Sequence, residues 1–333
     1  MTISAVAARA GVSVASVSRV LNDDPRVGQD IRERVRKAVL ETDYFPSAAA
    51  RSLRGRSTGQ LSLVVDDIGN PAYVETMRAL QALAREHGLR LLVESTDGRL
   101  EEELRVVESL RQRYVDGLIM TSTRFHPKLV KALREPAVPV VVIGSVPDGL
   151  AVDSVGADAA DGARIATDHL LDQGCERLAM VNGPEGTLPA RSRSGGFRAA
   201  LDGRGAGEPV ITHAAAFTRE AGYETTARLL AEHDVDGLFC ANDQLAVGAF
   251  HACQDAGLRV PEDVALVGMD NSRDATVCRP QLSSVDLRFA DRGRLAGQML
   301  LDRIHGRYTG APRRQQVYTE LVVRGSSTRR RDT

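Results

Sequence analysis

The stretch GVSVASVSRVLN, residues 11–22, sets one long cation among small side chains. Arg19 carries a planar fork of donors that matches the O6 and N7 acceptors of a guanine edge. Val14 and Ala15 are small enough to come close to base pairs, and their methyl groups suit thymine methyls. Ser13, Ser16, Ser18 and Asn22 offer short hydroxyl and amide groups to phosphate oxygens. Val17, Val20 and Leu21 recur at helical spacing and form an apolar back. A helix of this kind reads base edges through Arg19 and rests on the phosphate backbone through its serines.

Other combinations with chemical potential fail on context. GRSTG, residues 55–59, fits the GxSxG pattern of a hydrolase nucleophile, which needs a strand before the serine and a helix after it. Here an Arg-rich segment precedes it and the apolar run LSLVV follows, so no catalytic serine is expected. No GxGxxG or Walker-type loop follows an apolar run, and no HExxH occurs. Cys175, Cys240, Cys253 and Cys278 lie far apart without a CxxC pair and are expected as reduced, mostly buried thiols. Neither enzymatic activity, nor a cofactor, nor a metal is expected. The N-terminus lacks a basic segment followed by an apolar core, and no apolar run approaches the roughly 20 residues that span a bilayer. A cytoplasmic protein without a membrane partner is expected.

The net charge of −1 hides an asymmetry. Residues 1–56 carry ten Lys/Arg against six Asp/Glu, and the remainder carries 33 against 38. A small basic module joined to a larger acidic body points to nucleic-acid contact through the module.

The elements that must position these residues fall into two kinds. Residues 1–45 predict three short helices, Ser4–Arg9, Val14–Leu21 and Asp30–Thr42, with Thr2 and Ser13 as N-caps and Gly11 in the turn. This is a helix-turn-helix layout with the second helix as reader. From Leu61 onward, apolar runs alternate with amphipathic helical segments. The runs are Leu61–Val65, Leu89–Glu94, Gly117–Thr121, Val138–Ile143, Leu178–Val181, Gly237–Ala241 and Val264–Gly268. The helical segments are Val74–His87, Leu100–Arg113, Ala160–Asp172, Glu220–His233 and Asp243–Ala256. That order predicts parallel sheets with helices on both faces. A faint repeat, YVDGLIMTST at 114–123 and DVDGLFCAND at 234–243, predicts two similar lobes. Ligands of such sheets bind beyond the carboxyl ends of strands, which puts Thr121–Ser122 and Asn242–Asp243 at a shared cleft.

Taken together, TISAVAARAGVSVASVSRVLN, YFPSAAARSLRGRSTG, VVDDIGNPAYVETM, NGPEGTLPARSRSGGF, CANDQLAVGAF and PEDVALVGMDN resemble, in order, the landmarks of the LacI/GalR family of bacterial transcription regulators. The resemblance implies a helix-turn-helix headpiece (1–45) and a hinge (46–56). It also implies a periplasmic-binding-protein-like α/β core of two Rossmann-like lobes: 57–156 with 287–314, and 157–286 with 315–328. Residues 329–333 are expected as a disordered tail. The implied function is effector-controlled repression of carbohydrate-utilisation genes, by a homodimer bound to a palindromic operator in double-stranded DNA. The chain ends LVVRGSSTRRRDT without a leucine heptad, which favours a dimer over a tetramer.

By the same resemblance, Val14, Ala15 and Arg19 choose the operator, Arg26 joins the DNA contacts, and Leu53 wedges into the minor groove. A sugar or sugar-derived effector would meet Tyr73, Thr187, Arg191, Phe217, Asn242, Asp270 and Phe289, and the strand-end rule adds Thr121. The chain departs from the family pattern at Ser47, Gly28, Ile31 and Gly144. Some sugar-responsive members carry aspartate at the last of these. A transporter's sugar-binding protein built on the same two lobes is the competing reading, and it would have no use for residues 1–56.

Overall fold

The computed structural model describes residues 2–21, 24–44 and 57–329. The chain forms two units, residues 1–58 and 59–333.

In the first unit, helices α1 (Ile3–Ala10), α2 (Val14–Leu21) and α3 (Gln29–Glu41) surround a small core of Val6, Ala7, Ala10, Val17, Val20, Val35 and Ala38. Capping follows the sequence reading. The Thr2 hydroxyl accepts from the Ala5 N–H at 3.3 Å, and the Ser13 hydroxyl accepts from the Ser16 N–H at 3.1 Å. Gly11 ends α1 at φ +62, a left-handed turn that favours glycine. Arg34 of α3 donates to the carbonyls of Ala10 and Gly11 and fixes the third helix to that turn. Gly28 gives α3 no side-chain cap, while Ile31 packs against the core, so that departure adds apolar contact.

The second unit holds two six-stranded sheets of matching topology. The first contains β1 (Gln60–Val65), β2 (Arg90–Ser95), β3 (Gly117–Met120), β4 (Val140–Ile143), β5 (Asp153–Ala157) and β11 (Arg314–Val317). Its order is β11-β5-β4-β3-β1-β2, with every pair parallel. The second contains β6 (Leu178–Asn182), β7 (Val210–His213), β8 (Gly237–Cys240), β9 (Ala265–Met269), β10 (Ser283–Asp286) and β12 (Glu320–Val322). Its order is β12-β10-β9-β8-β6-β7, and β12 alone runs antiparallel.

Strand alternation sorts the first sheet's side chains onto two faces. Leu61, Leu63, Ile119 and Val141 pack under helices α4 (Ala72–Glu86) and α11 (Phe289–Ile304). Val64, Leu118, Met120 and Val142 pack under α5 (Leu100–Ser109) and α6 (Pro127–Ala132). In the second lobe, helix α7 (Ala159–Asp172) pairs with α8 (Leu188–Arg204), and α9 (Arg219–Glu232) pairs with α10 (Asp243–Asp255). Phe197 and Phe239, both fully buried, stack there at 6.5 Å. Each contributes about 1.5–3 kcal/mol through burial.

The VDGL repeat has a structural cause. Asp116 accepts from the Gly59 N–H at 2.9 Å, and Asp236 accepts from the Arg177 N–H at 2.9 Å. In both lobes an aspartate ahead of one strand clamps the start of its neighbour. Cys175, Cys240 and Cys253 are buried free thiols, and Cys278 is half-buried.

The chain passes between the lobes after β5, after β10 and after β11. The last crossing lies three residues later than the sequence boundary at 314–315. The ladder from Arg314↔Ser154 to Val317↔Ala157 keeps residues 315–317 in the first sheet.

Candidate functional site

In α2 the helical repeat turns Val14, Ala15, Ser18 and Arg19 to one side and Val17 and Val20 to the core. Val14, Ala15 and Arg19 are exposed, and Leu21 packs half-buried at the edge of the core. The serines are not equivalent. Ser13 and Ser16 hydroxyls lie 3.0 Å apart, and Ser13 also caps the helix, so their lone pairs are partly occupied. Exposed Arg26 is held by Asp24, donating from Nε at 3.0 Å and from Nη2 at 2.8 Å. That pairing keeps the Asp24 carboxyl well below the usual carboxylate range and offsets the charge that Arg26 could offer a phosphate. Asn22, Ser47 and Leu53 lie outside the described residues.

The second site is a cavity of about 550 Å³ between the two sheets' carboxyl ends, continuing into a recess of about 120 Å³. It gathers Tyr73, Thr187, Phe217, Asn242, Asp270 and Phe289. Thr121 and Gly144 line the recess. Arg191 is absent from both. It is exposed, and of the arginines on this segment the one that enters the cavity is Arg193, two residues on. Thr187 caps α8, and the helix turns Ala190, Arg193, Phe197 and Leu201 inward together. Position 191 falls on the outer side of that register.

Polar chemistry converges on the cavity from both lobes. Asp66 follows β1, and both its carboxylate oxygens are buried without a hydrogen bond. Its own N–H donates to the Thr121 hydroxyl at 3.1 Å. Burial first, then the Glu103 carboxylate, pushes Asp66 up to about 7, against the Thr121 hydroxyl, which lowers it. Asp270 follows β9 at φ +109, a backbone conformation costing roughly 1–3 kcal/mol in an L-residue. Burial raises it to about 6 against the pull of Arg193 and Arg292. Arg193 approaches it at 3.8 Å, too long for a hydrogen bond, and Asp270 Oδ1 is left unpaired. Arg193 Nε and the Arg292 Nε and Nη2 atoms are likewise buried and unpaired. Near Asp270, Asp243 has a partner on each oxygen, accepting from the Ser284 hydroxyl and the Ser272 N–H at 2.6 Å each.

Rings shape the remaining walls. Tyr73 meets Phe289 edge-on at 6.0 Å, and the Arg292 guanidinium lies 4.0 Å from the Phe289 ring centre. Phe217 occupies space that a Cβ on Gly183 would fill. Two expected contact residues have structural duties as well. Thr187 donates to the Pro184 carbonyl at 2.9 Å while accepting from the Ala190 N–H. The Asn242 carbonyl caps α10 through the Leu245 N–H at 2.9 Å, leaving its NH₂ only a long 3.5 Å bond to Phe217. Asp66, Arg193 and Arg292 are the residues that sequence reading missed.

Residues 2–47 match the model of bacterial regulatory proteins of the lacI family, and residues 167–327 match a periplasmic binding protein-like domain. The ribose operon repressor of Halalkalibacterium halodurans is 35% identical over 97% of this chain and 96% of that protein. The chain belongs to the lacI family of bacterial regulatory proteins. It is thus a DNA-binding transcriptional regulator with a two-lobed core, and the transporter reading is set aside. Among solved structures, the lac repressor dimer bound to operator and the anti-inducer ONPF superposes at TM-score 0.86, with 27% identity over 98% of this chain and 99% of that one. The regulator CelR in complex with cellobiose gives 0.75, with 32% identity over 98% and 100%. No single described helix is long and apolar enough to cross a membrane.

Proposed function

We propose that this lacI-family protein is a cytoplasmic, homodimeric repressor of carbohydrate-utilisation genes, released from or fixed on a palindromic operator by a sugar or sugar derivative. It performs no catalysis. The observation that carries this reading is the convergence of unpaired buried charges on one cavity, with Asp66 from the first lobe and Arg193 and Asp270 from the second. Buried charged groups without partners are costly, and a polyhydroxylated ligand supplies both donors and acceptors to them. The rings of Phe217 and Phe289 offer the apolar cover that a sugar face needs. The names of the relatives agree in kind, since ribose and cellobiose occur among them.

In this reading the headpiece is residues 1–45 and the hinge 46–56, with Leu53 as the minor-groove wedge. A ligand held by both lobes shifts their relative closure by its differential affinity for the two states. The hinge transmits that shift to the half-sites of the operator. The test is a thermal-shift screen of the full chain against pentoses, hexoses, disaccharides and amino sugars, followed by gel shift on an operator selected from random palindromes. A ligand at 100 times its Kd adds about 2.7 kcal/mol of stability. A sugar that stabilises the protein and changes operator affinity supports the reading. Selection that yields no palindrome, or a full carbohydrate panel without a stabilising member, sinks it.

A further inference from the structure

The charges of the cavity are unevenly shared. Arg193 and Arg292 both act on Asp270. The Arg124 guanidinium donates to the Glu185 carbonyl at 2.6 Å. Asp66 has neither arrangement. Both of its oxygens are buried and lack a well-formed hydrogen bond; the Thr121 hydroxyl favours its ionised form, and no cation of the described residues is among the groups acting on it. The groups around it are Thr121 beyond β3, Tyr73 on α4, and two further carboxylates, Glu103 on α5 and Asp67 beside it. A carboxylate buried without a countercharge is among the least favourable arrangements that a fold can hold. This one faces the cavity and its recess together.

We infer that Asp66 is the counter-ion of a protonated amine on the effector, so that the effector class is an amino-bearing polyhydroxylated molecule such as an amino sugar. The inference rests on the cleft being the effector site. Two hydroxyls could fill the hydrogen bonds of a protonated Asp66, but its ionised form would then sit uncompensated beside Glu103 and Asp67. An ammonium group brings donors and a positive charge at once. The site also carries complementary chemistry for ring hydroxyls, with Arg193 and Arg292 donating and Asp270 accepting. Asp66 holds its proton up to about 7, and an arriving ammonium displaces that proton.

Matched probes test this on the full chain by calorimetric titration: D-glucosamine against D-glucose and N-acetyl-D-glucosamine, with the corresponding galactose and mannose sets and D-ribose. Removing one partner of a buried charge pair costs roughly 30-fold or more in affinity. At least one free amine should therefore exceed its neutral partners by that factor, and Asp66→Asn should erase the difference. Titration in buffers of different ionisation enthalpy should show proton release at pH 7 in the wild type and less in Asp66→Asn. Asp66→Glu, which keeps the charge, should retain part of the preference, and operator binding by each variant reports its folding. Neutral sugars binding as tightly as their amines overturn the amine assignment and leave the sugar reading intact. Amine preference surviving in a folded Asp66→Asn overturns it equally, and silence from the whole panel overturns both.

Discussion

Arg193 and Asp270 face each other at 3.8 Å without a hydrogen bond, and both belong to the second lobe. Their attraction therefore does not hold the lobes together. It leaves a donor and an acceptor oriented for a third party. Arg193→Ala and Asp270→Ala should each weaken effector binding by several kcal/mol, because each strands a buried charged partner. Operator affinity without effector should remain at the wild-type level. Arg191→Ala should change neither, and a loss of effector response in that variant, read by calorimetry, would return the role to Arg191.

The difference between the two arginines shows what was readable beforehand. The segment PARSRSGGF contains both, and loop reasoning cannot separate them. Helix register can: Ala190, Phe197 and Leu201 mark an inward face that includes position 193 and excludes 191. Asp66 was open to the strand-end rule that located Thr121 and Asn242, since it follows the apolar run LSLVV directly. What concealed it was its bland setting of consecutive aspartates, and only burial distinguishes Asp66 from Asp67. The central strands were legible because they are continuous apolar runs. Strands β10 (SSVD) and β11 (RQQV) carry few apolar residues and owe their pairing to neighbours laid down elsewhere in the chain.

Stability should depend on pH through Asp66. Its folded value of about 7 lies above the ordinary 3.8, so the folded state binds more protons than the unfolded state between those values. Stability then falls as pH rises through that window and levels off above it. Asp66→Asn should stabilise the ligand-free protein by up to a few kcal/mol at pH 8 and far less at pH 4. Thermal denaturation at the two pH values checks this, and an equal gain at both would point to a cause other than ionisation.

Effector affinity should move the other way. Asp66, at about 7, and Asp270, at about 6, both accept better when ionised, so affinity should rise between pH 5 and pH 8. The pH profile of Kd for whichever ligand emerges from screening measures it. A flat profile would exclude both carboxylates from direct contact.

In the headpiece, Arg19 stands exposed on the side of α2 away from the core. Arg19→Ala should cost roughly 1–3 kcal/mol of base discrimination per half-site while leaving most salt-sensitive non-specific binding in place. Competition gel shifts with operator and scrambled DNA distinguish the two. Parallel loss on both DNAs would make Arg19 a phosphate contact.

Adjacent glycines in α8 should respond oppositely to the same change. Gly195 has open space where a Cβ would be built, whereas a Cβ on Gly196 would overlap the Ala160 carbonyl and crowd the Ala163 methyl. Both sit inside a helix, where alanine loses less backbone entropy on folding than glycine. At position 195 that advantage stands alone, and Gly195→Ala should stabilise the core by about 0.4–1 kcal/mol. At position 196 the overlap forces α7 and α8 apart, and Gly196→Ala should destabilise it by about 1–3 kcal/mol. Because α8 carries Arg193 on the turn before, the second variant should also bind effector more weakly than its stability loss alone explains. Denaturant unfolding of the two variants, with calorimetry on each, separates these effects. Equal stability changes would mean that the α7–α8 contact is looser than the overlap at Gly196 requires.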